Sequence, residues 1–149
     1  MERIFRRPPP AVLLAMAGLA QHTMTRGRSV TPSSMAAAAP VAGGSLCLLA
    51  GSAGNFLRHR TTVDPVRVER AQHLVVDGPN RLTRNPMYLG MLLALAGWAV
   101  WLGNGAALLA LPLFVAVLNT LQIRPEEAAL RARFGADYVR YAQRVRRWA

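Results

Sequence analysis

The chain has no lysine, one cysteine, three histidines and only seven acidic residues among 149, and each scarcity closes off a class of protein. With Cys47 alone, neither an intramolecular disulfide nor a cysteine zinc site can form. His22, His59 and His73 lie far apart and show no metal-ligand spacing, so no metal centre is expected. No Ser-His-Asp or Cys-His arrangement is visible, and the chemistry must do without such a nucleophile. All 18 basic residues are arginine, for a net charge of +11. A nucleic-acid binder would interleave a soluble basic face with aromatics, whereas most of these arginines sit just outside apolar spans. The charge therefore reads as membrane topology and attraction to anionic lipid, with no nucleic-acid partner.

What is present is apolar length. Half of the composition is hydrophobic (52%), and 149 residues suffice for one domain, taken here as residues 1–149. Four apolar stretches stand out: a weak first helix at about 10–24, then helices at about 35–57, 86–102 and 106–123. The first is short and follows Arg3, Arg6 and Arg7, as a signal peptide would, but Pro8-Pro9-Pro10 suits that reading poorly and a short helix is preferred. The expectation is an all-α integral membrane bundle of three to four transmembrane helices. Ala50 and Gly54, four apart in the second stretch, would let helix backbones approach closely, and Cys47 would pack in the core.

Arginine placement sets the orientation. Arg58, Arg60, Arg67, Arg70, Arg81 and Arg84 lie between the second and third stretches, seven more follow Ile123, and the turn at Gly103-Asn104-Gly105 has none. The large loop and the C-terminus are then cytoplasmic, in what the arginine and alanine bias suggests is a bacterial inner membrane. The tail, 124–149, carries an apolar and aromatic stripe at Leu130, Phe134, Tyr138, Tyr141, Val145 and Trp148, which makes it amphipathic. Gly135 should break it in two, with Asp137 capping the second helix. Such a tail can lie on lipid or close over a site at the cytoplasmic face.

The apolar stretches 86–102 and 106–123 have nearly equal length, so the polar motifs at their outer ends meet at one membrane face. Arg84, Asn85 and Tyr88 thus come beside Arg124, Glu126 and Glu127, a charged cluster that hydrocarbon disfavours unless it binds something. Asn85 is a good N-cap and Pro86 a good first helical residue, and a helix start beside Arg84 is a seat for a carboxylate. Glu126 or Glu127, from the other arm, can take a cation. Each residue also has a plainer role: the arginines as interfacial anchors, the glutamates as helix-start residues after Pro125, and Tyr88 as an interface aromatic.

Gly78, Arg84-Asn85-Pro86-Met87-Tyr88, Glu126-Glu127, and Phe134-Gly135 with Tyr138 and Tyr141 occur in an order and spacing that resembles the membrane methyltransferases related to isoprenylcysteine carboxyl methyltransferase and the phospholipid N-methyltransferases. The resemblance covers about the second half of the chain, with an echo in Thr61-Thr62-Val63-Asp64-Pro65. It implies an S-adenosyl-L-methionine pocket formed by Asn80, Asn85, Pro86, Met87, Tyr88 and Glu126, with Gln72, His73, Leu74 and Val75 lining the adenosine end. It further implies that Arg84, Tyr88, Glu127 and Arg124 serve the chemistry, Arg124 as a cation on the acceptor side. Methyl transfer is an in-line displacement that relies on alignment and desolvation. A carboxylate or thiolate acceptor arrives nearly ready to react, while an amine must lose a proton, for which Glu127 or His73 is at hand. The acceptor is expected to be lipophilic or small, and it is not specified further.

Two positions depart from the family pattern. Asn80 stands where the family has tyrosine, and Arg146 where a proline commonly precedes Arg147-Trp148. The first favours the alternative reading, a non-catalytic membrane protein of the same fold that binds lipid or acts as a scaffold.

Overall fold

The computed structural model describes residues 7–25, 30–58 and 73–149. These form helices and turns with no strand among them, in agreement with the all-α expectation. The helices are α1 (Pro10–Met24), α2 (Pro32–Arg58), α3 (Pro86–Trp101), α4 (Ala110–Leu118) and α5 (Arg124–Arg144), joined in part by 3-10 turns at Gly78–Arg81 and Gly105–Leu109 and a π turn at Asn119–Ile123. Proline starts α1, α2 and α3, where its missing N–H costs nothing and its fixed φ suits the first turn. His59, Gln72, the Thr61–Pro65 echo and Arg26, Arg28, Arg60, Arg67 and Arg70 lie outside the described residues.

Two helical runs are long and apolar enough to cross a bilayer, α2 and the continuous run Gly105–Arg144, whereas α3 is a shorter apolar helix. The turn between α3 and α4 forms as its residues require. Gly103 takes φ +62°, and the Asn104 Oδ1 accepts from the Ala106 N–H at 3.0 Å. The second arm does not stop at Ile123. A π turn carries it into α5, and the one extra residue rotates everything downstream by about 100° relative to an unbroken α-helix. The tail does break at Gly135, whose φ is +49°. Asp137 pairs with Arg140 one turn on, and no cap by Asp137 is seen.

The bundle is built on α3. Its residues Tyr88 and Leu95 join Phe114, Leu118 and Ile123 in a core against which Leu13, Leu14, Ala17, Leu92 and Trp148 pack. On α2, Ala38, Ser45 and Ser52 are buried at seven-residue intervals, so one narrow face of the helix meets α3. That face is closed by small residues other than those expected. Gly54 has nothing near it and Ala50 is exposed, while Gly90 and Gly97 of α3 admit the α2 backbone. A Cβ at Gly90 would lie 2.8 Å from the Leu49 Cγ, and the Ser45 hydroxyl donates to the Gly90 carbonyl at 2.8 Å. Cys47 is likewise exposed rather than in the core. Gln21 of α1 is fully buried and donates to the carbonyls of Leu95 (3.2 Å) and Ala107 (3.0 Å), tying three segments together.

Replacing Gly90 with alanine should therefore lower stability by about 1 to 3 kcal/mol, because the added methyl would meet the Leu49 Cγ at 2.8 Å and the Leu49 backbone nitrogen at 3.4 Å. Gly54→Ala meets open space and should leave stability unchanged or slightly raised. Thermal midpoints of the two variants in the same detergent test the contrast. Equal midpoints would mean that Leu49 swings aside freely.

Met16, Leu19, Leu46, Leu57, Leu109 and Leu113 are each at least 64% exposed. Leaving so many large apolar side chains outside is unfavourable in water by roughly 25 cal/mol per Å², and neutral in hydrocarbon.

Candidate functional site

The start of α3 and the start of α5 lie side by side, and a short C-terminal segment passes across both. Tyr88, one turn into α3, donates its hydroxyl to the Glu126 Oε1 at 2.5 Å. Arg84, just before α3, reaches the Glu127 Oε1 through Nη2 at 3.3 Å and the Tyr138 hydroxyl through Nη1 at 3.4 Å. Glu127 is gripped from the far side by Arg147, whose Nε donates to Oε1 at 3.0 Å and whose Nη2 donates to Oε2 at 2.5 Å. This fork-to-fork geometry is the strong form of the ion pair, and it raises the Arg147 guanidinium above its ordinary range.

The backbone of the C-terminal segment is as firmly held. The Arg84 N–H donates to the Arg146 carbonyl at 2.9 Å, and the Arg147 carbonyl accepts from the Thr83 hydroxyl (3.0 Å) and the Asn85 side-chain amide (2.9 Å). The Trp148 indole then donates to the Asn119 Oδ1 at 3.2 Å, inside the π turn. Asn85 precedes α3 as expected, yet its side chain donates to the tail and makes no cap hydrogen bond. The first-turn amides of α3 thus keep no side-chain cap, and Pro86 is buried at that start.

Two tyrosines of α5 complete the wall. Tyr138 is almost wholly buried, and the Tyr141 hydroxyl donates to the Asn80 carbonyl at 2.7 Å. Burial pushes the Tyr141 phenol up to about 12 and the Tyr138 phenol upward as well, so both stay protonated at neutral pH. Glu126 lies past the apolar run of the second arm. Burial raises its carboxyl to about 7 and the charge of Glu127 adds to this, against the Tyr88 hydrogen bond and the positive charge of Arg7. It forms no ion pair among the described residues.

Arg84, Asn85, Tyr88, Glu126 and Glu127 thus come together as the hairpin requires. Asn80 is buried behind them, Met87 is half-buried, Val75 is buried, Leu74 is half-buried and His73 is exposed. Gln72 lies outside the described residues, and Arg124 is exposed at the start of α5, apart from the ion-pair network. Thr83, Asn119 and Arg147 join the site without having been singled out. Arg147 is 20 residues from Glu127, a separation with no local pattern to reveal it.

Two buried polar atoms here have no hydrogen-bond partner among the described residues, the Arg84 Nε and the Asn80 Oδ1. Buried donors and acceptors are rarely left unpaired. The head of the hairpin thus holds, among the described residues, an unpartnered guanidinium donor, an unpartnered amide acceptor and a carboxylate without an ion pair. No cluster of metal-ligating side chains occurs among the described residues.

Residues 34–137 match the sequence model of the family described as phospholipid methyltransferase. Over 62 residues the chain is 50% identical to an uncharacterized protein of Haemophilus influenzae, covering 42% of this chain and 98% of that protein. It is 35% identical over 82 residues to protein-S-isoprenylcysteine O-methyltransferase B of Arabidopsis thaliana, covering 54% of this chain and 42% of the plant enzyme. A probable protein-S-isoprenylcysteine O-methyltransferase of Oryza sativa is 35% identical over 88 residues, with 59% of this chain and 46% of that protein covered. The chain therefore spans less than half the length of these plant relatives. No solved structure matches.

Proposed function

Because the chain belongs to the phospholipid methyltransferase family, we propose that it transfers a methyl group from S-adenosyl-L-methionine to a lipophilic or small acceptor at the cytoplasmic face of a membrane. The observation that carries this reading is the set of unmatched groups at the head of the hairpin. Glu126 would take the ammonium of the cofactor, Arg84 with the uncapped first turn of α3 its carboxylate, and Asn80 the amino group of its base. Tyr88 would orient Glu126 and present its ring near the sulfonium. The cofactor, when bound, supplies an activated methyl group. The protein holds the two reactants in line and keeps water away, tasks that suit a half-buried site with no strong base at hand.

The outward apolar side chains and the two long apolar runs support a membrane protein. The finer topology is part of the proposal: three to four spans in one domain, the Gly103–Gly105 turn outside, and the tail on the cytoplasmic face against anionic lipid. The acceptor would enter sideways from the bilayer, with a carboxylate, thiol or amine as its nucleophile.

Titration calorimetry with S-adenosyl-L-methionine in detergent tests the reading, and its pH profile is specific. Below about pH 7, Glu126 is protonated and cannot pair with an ammonium, so affinity should rise as pH climbs toward 7. It should fall again near pH 8, roughly where an α-ammonium loses its proton. No heat of binding anywhere in this range would remove the cofactor and leave the lipid-binding or scaffold alternative.

A further inference from the structure

We propose that Arg147 is a positioning residue of this site, one that acts through Glu127 to reserve Glu126 for the cation of the ligand. The inference rests on the cofactor reading above and deepens it. Two adjacent carboxylates face the start of α3, and both are candidates for the same ammonium. If both were free, their mutual repulsion would favour protonation of one, and a cationic ligand would find two competing geometries. The tail removes that ambiguity. Arg147 engages both oxygens of Glu127 and Arg84 shares Oε1, so two guanidinium groups already compensate the charge of Glu127 and a ligand cation gains less there than at Glu126. Among the described residues, Glu126 accepts a side-chain hydrogen bond from the Tyr88 hydroxyl alone.

The same pair sets the direction of Arg84. Its Nη2 is drawn toward Glu127 and its Nη1 toward Tyr138, which leaves Nε as a buried donor without a partner among the described residues. Without Arg147, Glu127 would compete for the whole Arg84 guanidinium and rotate that donor away. Arg147 itself is anchored by its own carbonyl, held by Thr83 and Asn85 on the loop that carries Arg84. The segment therefore spans the head of the hairpin, tying the loop before α3 to the first turn of α5. Among the described residues, the charged groups bearing on Glu126 are Glu127 of its own helix and Arg7 from the segment before α1, the neutral Tyr88 phenol of α3 donates to it, and Arg84 and Arg147 pair with Glu127.

The test is calorimetry with S-adenosyl-L-methionine on the full chain in detergent, from about pH 5.5 to about pH 8, for the wild type, Arg147→Ala, Arg147→Lys, Glu127→Gln and the double variant Arg147→Ala/Glu127→Gln. Arg147→Ala should weaken binding about tenfold or more and move the ascending limb of the pH profile upward by about half a unit, because the less compensated Glu127 disfavours ionisation of Glu126. Adding Glu127→Gln should return that limb to or below its wild-type position, since the offending charge is gone. Arg147→Lys should keep the limb in place while losing part of the affinity, as it keeps the charge and loses the fork. If Arg147→Ala does not fold, Glu127→Gln and Arg147→Lys carry the comparison. A weakened Arg147→Ala with an unmoved limb and no return on adding Glu127→Gln would reduce Arg147 to packing and overturn the inference. Binding by the wild type with unchanged variants overturns it alone, whereas no binding by the wild type overturns the cofactor reading and this inference together.

Discussion

Replacing Glu126 with alanine should weaken S-adenosyl-L-methionine binding by about tenfold to a hundredfold while leaving the fold intact. A hydrogen bond to a charged partner is worth about 1.5 to 3 kcal/mol, and Glu126 is the site's carboxylate without an ion pair among the described residues. The loss exceeds what Glu127→Gln should produce, since Glu127 already satisfies two guanidinium groups. Glu126→Gln separates charge from shape. It can still accept from Tyr88, so it should fold as the wild type and bind as poorly as the alanine variant. Calorimetry on the three variants, with circular dichroism as a check on folding, decides the matter. Undiminished affinity in Glu126→Ala would exclude Glu126 from the site.

Ending the chain after Arg144 should destabilise it by about 3 to 5 kcal/mol and abolish cofactor binding. The five residues removed hold much of the site together. With them go the two carbonyls that receive Arg84, Thr83 and Asn85, the forked pair with Glu127, and the Trp148 indole bonded to Asn119 and packed on the core. Each neutral hydrogen bond is worth about 1 kcal/mol, and removing the half-buried Trp148 adds up to about 2 more, less than the loss of a fully buried aromatic. Simple addition overstates the sum because these contacts are neighbours. A tail that served only as a lipid anchor would behave differently, leaving the thermal midpoint and the cofactor site as they were, since the apolar helices already hold the protein. An unchanged midpoint and affinity in the truncated chain would return the tail to that role.

Much of this was legible from local chemistry. Apolar runs bounded by proline and glycine place α1, α2 and α3 to within a few residues, and a hairpin with equal arms has only one way to bring Arg84, Tyr88, Glu126 and Glu127 to the same end. The break at Gly135 is similarly local, because glycine tolerates the positive φ it adopts there. Family membership follows from short motifs whose spacing is a property of the chain itself.

What the sequence by itself determined, then, is where the helices lie, which ends of them are polar, and which charged residues share an end. Hydropathy, end-capping and turn preferences act over a few residues and are written in order along the chain. Only the tertiary structure decided which glutamate is engaged and which is open, that Arg124 is exposed while Arg147 fills the pairing role, that Asn85 serves the tail instead of capping its helix, and that Gly90 and Gly97 rather than Ala50 and Gly54 make the close helix contact. These depend on rotational phase and on the return of a distant segment. A π turn resets the phase of α5 by about 100°, enough to carry a side chain from one face of the helix to another, and the C-terminal segment selects its partner 20 residues away through space.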